Sequence, residues 1–111
     1  MEFKEIDRGN IARHEALFSL CFPLSNLNRR YLEWLYFSNP LGKVVGFDAM
    51  DGEILAAHYA CIPTRVDGKI GLLALNTATH PLYRSRGIYK KIISRGQIIV
   101  KYFLRFYRSK F

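Results

Sequence analysis

The sequence predicts an α/β chain of the α+β kind: a strand, two helices, a three-stranded antiparallel meander and a closing helix, in a single domain spanning 1–111. Three observations carry this expectation. The apolar pattern has helical spacing up to Phe37, turns strand-like from Val44 to Thr79, and is helical again after Gly87. Two Asp-Gly pairs, Asp51-Gly52 and Asp67-Gly68, separate the strand-like runs, and such pairs favour two-residue hairpins. Half of the residues are apolar and 14% are aromatic, which is enough to build a core in a chain of this length. No internal repeat, linker or low-complexity tract interrupts it.

Taken in order, Phe3 to Ile6 reads as the first strand and Arg8-Gly9-Asn10 as a turn, with Asn10 as a helix N-cap. Ile11, Leu17, Phe18 and Cys21 give the first helix its apolar face, and Pro23 stops it. A second helix is expected from Asn26 to Phe37, on the spacing of Leu27, Tyr31, Trp34, Leu35 and Ser38, with Asn39-Pro40-Leu41-Gly42 as the turn after it. Strands are expected over Val44–Met50, Ile54–Ile62 (closed by Pro63) and Lys69–Thr79. His80-Pro81-Leu82-Tyr83 breaks the last strand, and a helix follows from Gly87. Its polar stripe (Lys90, Ser94, Gln97, Lys101, Arg105 and Arg108 or Ser109) is narrow, so most of its surface should be buried.

Charge is distributed unevenly. The net charge is +8, yet all nine acidic residues lie at or before Asp67, and the chain from Gly68 onward carries ten basic residues and no acid. Such a half attracts phosphates, nucleic acid or anionic lipid, and charge alone does not choose among them. Cys21 and Cys61 stand in apolar surroundings and read as core thiols. There is no CxxC motif or Cys/His cluster, so no metal site is expected. The N-terminus does not resemble a signal peptide, and no apolar run is long enough to span a bilayer. Cytoplasmic is the default location.

The chemistry-bearing stretch is Thr77-Ala78-Thr79-His80-Pro81-Leu82-Tyr83-Arg84-Ser85-Arg86-Gly87-Ile88-Tyr89-Lys90-Lys91. It is the end of a strand, a tight turn with two arginines and a glycine, and a basic first helical turn. A helix start exposes unpaired N–H groups and the positive end of the dipole, which together favour phosphate. Gly87 would allow a phosphate close to the backbone, and Arg84 and Arg86 could add charge-assisted contacts.

Arg84-x-x-Gly87-x-Tyr89 resembles the acetyl-coenzyme A signature of the GNAT N-acetyltransferases, Arg/Gln-x-x-Gly-x-Gly/Ala, and His80-Pro81-x-Tyr83-Arg84 resembles the approach to it. The element order also matches the N-terminal half of that fold, so the resemblance covers nearly the whole chain. It implies acetyl transfer from acetyl-CoA to a primary amine, a small molecule or amino-sugar. Thr77, Ala78 and Thr79 would pair with the pantetheine arm, and Arg84, Ser85, Arg86, Gly87, Ile88 and Tyr89 would hold the pyrophosphate. Tyr89 departs from the signature, which has a small residue there. The C-terminal part of the fold is missing by this reading, which implies a fragment, a truncated gene product or a frameshifted end, and the aromatic, acid-free residues 101–111 lean toward the last.

No catalytic residue is assigned by the motif. His58 is the candidate base, because an imidazole titrates in the useful range. A structural role is the alternative for this lone strand histidine. Tyr31, Trp34 and Tyr36 either line an acceptor groove or pack the second helix. Two other functions compete with acetyl transfer: a non-catalytic CoA-binding remnant, and a module that binds membrane or nucleic-acid surfaces through the basic C-terminal helix. An uncovered strand edge near Leu75 and the wide apolar face of the last helix predict self-association.

Overall fold

A computed structural model describes residues 1–97. Strands β1 (Glu2–Glu5), β2 (Val45–Asp51), β3 (Ile54–Val66) and β4 (Lys69–Thr79) form one antiparallel sheet in the order β1-β2-β3-β4. Helices α1 (Ile11–Cys21) and α2 (Arg29–Phe37) cover one face, and α3, helical over 88–97, covers the other. The expected element order is therefore present. The tail 101–111, with Lys101, Arg105 and Arg108, lies outside the described residues.

Local chemistry sets the element boundaries. The Asp7 side chain accepts from the Gly9 amide and starts a 3-10 turn, Arg8–Asn10, that leads into α1. Asn10 stands at the N-cap position without capping, because its side chain is drawn inward to Asp48. The second helix begins at Arg29 rather than Asn26, since Asn28 is its cap and accepts from the Tyr31 amide at 2.9 Å. Its buried stripe is Leu32, Leu35 and Tyr36, whereas Tyr31 and Trp34 of the expected face are exposed.

The first hairpin turn is Gly52-Glu53 rather than Asp51-Gly52, with Asp51 paired to Ile54. Only Gly52 of that pair has positive φ, at 60°. The second turn is Asp67-Gly68 as expected, with φ of 50° and 77°, the conformation of a type I′ turn. β3 continues beyond Ile62 through Pro63 to Val66. Proline is tolerated because β2 reaches only to Cys61, so the strand beyond it pairs on one side alone, with β4.

Two bulges shape the sheet. One falls between Ala49 and Met50, where Ala56 becomes the extra residue of β3. The other puts Asn76 and Thr77 of β4 opposite Tyr59 alone, and Asn76 takes a φ of 60°. β4 ends the sheet, and its outer edge has no strand partner among the described residues.

The two faces are packed differently. Under α1 and α2 lie Ile11, Leu17, Phe18, Leu32, Leu35, Tyr36, Met50, Leu55 and Ile62. Under α3 the sheet presents mainly small residues, Ala49, Ala56 and Ala57, against Ile88 and Ile92. Gly96 lets α3 sit close: a Cβ there would lie 2.1 Å from the Tyr59 ring. We expect Gly96→Ala to destabilise the protein by about 1–3 kcal/mol through overpacking, despite the better helix propensity of alanine. In a Tyr59→Ala background the same change should become neutral or stabilising, as chemical denaturation of the four proteins in a double-mutant cycle would read.

Candidate functional site

The turn that the sequence singles out lies at the rim of the sheet. β4 ends at Thr79, and the His80 imidazole accepts from the Leu82 amide at 3.1 Å, capping a 3-10 turn over Pro81–Tyr83. The Tyr83 hydroxyl donates to Asp51, which ties this turn to the first hairpin. Arg84 is extended, Ser85 has a φ of 68° and Gly87 a φ of 75°, and α3 starts at Ile88. The alternating backbone wraps the turn, and a side chain built at Gly87 would meet nothing within 4 Å, so the space in front of it is open.

Arg84, Ser85, Arg86 and Gly87 are exposed, as is Tyr89, while Ile88 is buried as the first apolar anchor of α3. Arg84 reaches back to the Thr79 carbonyl, and the Arg86 guanidinium lies over the Tyr83 ring at 4.8 Å. Thr77 and Thr79 are half-buried and Ala78 is buried, at the end of β4 that follows the bulge. The candidate binding residues thus form one continuous rim: the strand end, the turn and the start of the helix.

His58 lies elsewhere, fully buried between the sheet and α1/α2, and it is not alone. Its Nδ1 is 2.6 Å from one Asp48 oxygen, and its Nε2 is 2.8 Å from the Tyr36 hydroxyl. The other Asp48 oxygen is 2.6 Å from His14 Nε2 and accepts from Asn10 Nδ2 at 2.8 Å. Asn76, at the β4 bulge, donates to the Tyr36 hydroxyl at 3.4 Å. One polarity satisfies these bonds with both imidazoles neutral. Asn76 donates to Tyr36, Tyr36 donates to His58 Nε2, and His58 Nδ1–H, His14 Nε2–H and Asn10 all donate to the Asp48 carboxylate. His14 Nδ1 is buried and has no hydrogen-bond partner among the described residues.

Burial alone would raise the Asp48 pKa, but hydrogen bonds from His14 and His58 outweigh it and hold the carboxyl well below the usual carboxylate range. Burial pushes the His58 imidazole below its ordinary value, against the hydrogen bond that it donates to Asp48. Burial also pushes the Tyr36 phenol up.

His14, Asp48 and His58 bring three possible ligand atoms within 4.8 Å of one another, a grouping the sequence reading did not expect. The spacing is that of hydrogen bonds. Ligands on a tetrahedral ion at about 2.1 Å stand roughly 3.4 Å apart, whereas both imidazole–carboxylate separations here are 2.6 Å. Of the network, the sequence singles out His58 as a candidate base, Tyr36 only as a groove or packing residue and Asn10 only as a helix cap. Asp48 and His58 sit directly opposite each other on β2 and β3, but the bulge at Ala56 shifts the register that would reveal this. His14 occupies a core position on the apolar stripe of α1.

The network makes stability pH-dependent. Both folded-state pKa values lie below their unfolded ones, so the unfolded chain binds more protons and stability falls on acidification. The His58 contribution is present above the ordinary imidazole value, about 6.5, and is lost as pH falls below it. The Asp48 contribution is lost only below about 4. Denaturant titrations should show stability falling as pH drops below about 6.5, and His58→Gln should reduce that slope.

No family model and no curated protein matches the chain. Solved structures do. A structure of aminoglycoside 6′-N-acetyltransferase complexed with coenzyme A superposes with a TM-score of 0.72 at 19% identity, over 91% of this chain and 56% of that one. A GNAT family acetyltransferase from Brucella melitensis, in complex with acetyl-CoA, gives 0.70 at 18% identity, over 90% and 68%. The apo aminoglycoside antibiotic 6′-N-acetyltransferase from Acinetobacter haemolyticus gives 0.70 at 13% identity, over 93% and 73%. The chain thus spans little more than half the length of the first of these, in the manner of an N-terminal portion, and its fold is that of the GNAT acetyltransferases.

Proposed function

We propose that the chain carries the acetyl-CoA site of an N-acetyltransferase that acts on a primary amine, a small molecule or amino-sugar. The observation that carries this reading is the continuous rim from Thr77 to Tyr89: a strand edge with no partner among the described residues, then an open turn with positive φ at Ser85 and Gly87, then a helix start. The strand edge offers backbone groups to an amide-bearing arm. The turn offers amides and two arginines to a diphosphate.

The fold supports the reading, because chains of this architecture are described with coenzyme A and acetyl-CoA bound. The bulge supports it as well, since Asn76-Thr77 opposing one residue leaves backbone polar groups out of the ladder near the strand end, where a thioester carbonyl needs a donor. Exposed Tyr31 and Trp34, whose rings stand 6.4 Å apart on α2, are available to an acceptor, whereas Tyr36 is fully buried and is not.

Calorimetric titration with acetyl-CoA tests the proposal. Hydrogen bonds to charged groups are worth about 1.5–3 kcal/mol, so losing either arginine contact corresponds to roughly tenfold or more in affinity. The protein should bind acetyl-CoA, and Arg84→Ala/Arg86→Ala should weaken binding at least tenfold while the circular dichroism spectrum stays unchanged. Absence of binding by folded protein, or equal affinity in the variant, would sink the assignment of the cofactor to this turn.

A further inference from the structure

The sheet has two edges, and only one is protected against pairing. β1 is 4 residues long, and Glu2, Lys4 and Glu5 make most of it charged. Short length and charge are the usual means of keeping one edge strand from meeting another. β4 is 11 residues long and contains no proline, and its charged residue, Lys69, stands at the very start. Its outer edge has no strand partner among the described residues. The bulge at Asn76-Thr77 lies toward the far end, so Lys69 to Leu75 forms a regular edge. The same stretch is apolar on both faces. Where β3 runs past β2, Ile70 and Leu72 stand half-buried on one face, while Leu73 and Val66 are 50% and 58% exposed on the other. Backbone groups and apolar side chains are thus left open together.

Charge selects the occupant. Asp67, in the turn before β4, and Arg84, after its end, are both exposed and form no ion pair among the described residues. Arg84 is held at the strand end by its bond to the Thr79 carbonyl at 3.3 Å. Asp67 and Thr79 are equidistant from Leu73 in sequence. An antiparallel pairing of two β4 edges about a two-fold axis at Leu73 therefore sets Asp67 of each copy beside Arg84 of the other, to within the one residue of the bulge. It also keeps the two Lys69 ammonium groups at opposite ends, whereas a parallel pairing would stack them. Pairing β4 with β1 of another copy would set the charges of β1 against an apolar edge and would grow an open filament rather than a closed dimer.

We propose that the β4 edge docks a second copy of this chain, in an antiparallel two-fold pair that joins the two sheets and covers the strand end from Thr77 to Thr79. The docking stands on the edge itself. Its consequence for the cofactor rests on the reading of the rim as an acetyl-CoA site. The second copy and the pantetheine arm would need the same backbone groups, so each excludes the other, and the exclusion is reciprocal.

The test is sedimentation of the full chain as wild type, Leu73→Lys and Leu73→Glu. Leu73 is half exposed at the edge, so either change should leave the circular dichroism spectrum as it is. One paired edge buries little area, so the wild type should pass from monomer to dimer between about 1 and 100 µM. Each variant alone should weaken association about tenfold or more, because the axis sets two like charges together in place of two leucines. Mixing the two variants should restore the dimer, since lysine then meets glutamate. A wild type that stays monomeric overturns the proposal and leaves the edge to another segment or partner. Association that Leu73→Lys leaves intact places the contact elsewhere and overturns it too, as do variants that stay apart when mixed. For the cofactor, excess acetyl-CoA should shift the wild type toward monomer, and calorimetry at a dimeric concentration should find Leu73→Lys binding acetyl-CoA several-fold more tightly than wild type. Equal affinity overturns the exclusion. Absence of acetyl-CoA binding by the monomeric variant overturns the cofactor reading and the exclusion with it, and leaves the edge contact standing.

Discussion

The Asp48 carboxylate is the constraint on which the packing of one whole face depends. It is 1% exposed, carries a charge, and forms no ion pair with a lysine or arginine among the described residues. A buried charge is tolerated only when hydrogen bonds replace the lost water, and here the donors come from different parts of the chain. Asn10 precedes α1, His14 lies within α1, and His58 is on β3. Through Tyr36 the same network reaches α2, and through Asn76 it reaches the edge strand. Sliding α1 by one turn would leave the carboxylate short of two donors at once. Apolar contacts such as Phe18 and Leu32 supply most of the favourable area, but they tolerate small shifts. The polar network does not, and so it fixes where the helices stop on the sheet.

The opposite face follows a different rule. Ala49, Ala56 and Ala57 make a shallow floor, and Gly96 removes the side chain that would hold α3 away from Tyr59. Close packing of α3 positions its N-terminus at the end of β4, and the Tyr83–Asp51 hydrogen bond anchors the intervening turn. The rim from Thr77 to Tyr89 is thus a product of packing on the α3 face, whereas the buried polar network is a product of packing on the α1/α2 face. The two meet at the β4 bulge, since Asn76 touches Tyr36 while Thr77 opens the run toward the turn.

How much of this was legible in the sequence follows from the range of each signal. β4 was read with both ends correct, because Asp67-Gly68 and His80-Pro81 punctuate it locally. The turn at Arg84–Tyr89 was legible for the same reason, since its meaning lies within six consecutive residues. The start of α2 was misplaced because Asn26 and Asn28 both look like caps, and only Asn28 bonds to the Tyr31 amide. The partnership of Asp48 with His58 was hidden by a bulge, because one extra residue changes which side chains share a face. His14 and Tyr36 fill core positions on their helices, and nothing in helical spacing says that a polar side chain there has found a buried partner.

The arrangement of the basic half also bears on what kind of anion the chain can hold. From Gly68 onward the sequence carries only positive charge, which by itself suits a long polyanion as well as a small one. The fold divides that charge. Lys69 opens β4, an 11-residue strand, so it stands on the order of 30 Å from the turn at its other end. Arg84, Arg86, Lys90 and Lys91 cluster around the start of α3, while Arg95 is turned onto the Phe3 ring at 4.6 Å. A duplex or a lipid surface is recognised by charges spread over a broad face. Four cations around one helix start, with open space in front of Gly87, suit the compact diphosphate of the proposed cofactor, which backbone amides would hold at its centre and side chains at its margin. Among the described residues the charge distribution and the backbone geometry converge on the same turn, and that convergence favours a nucleotide-like cofactor over a polymer.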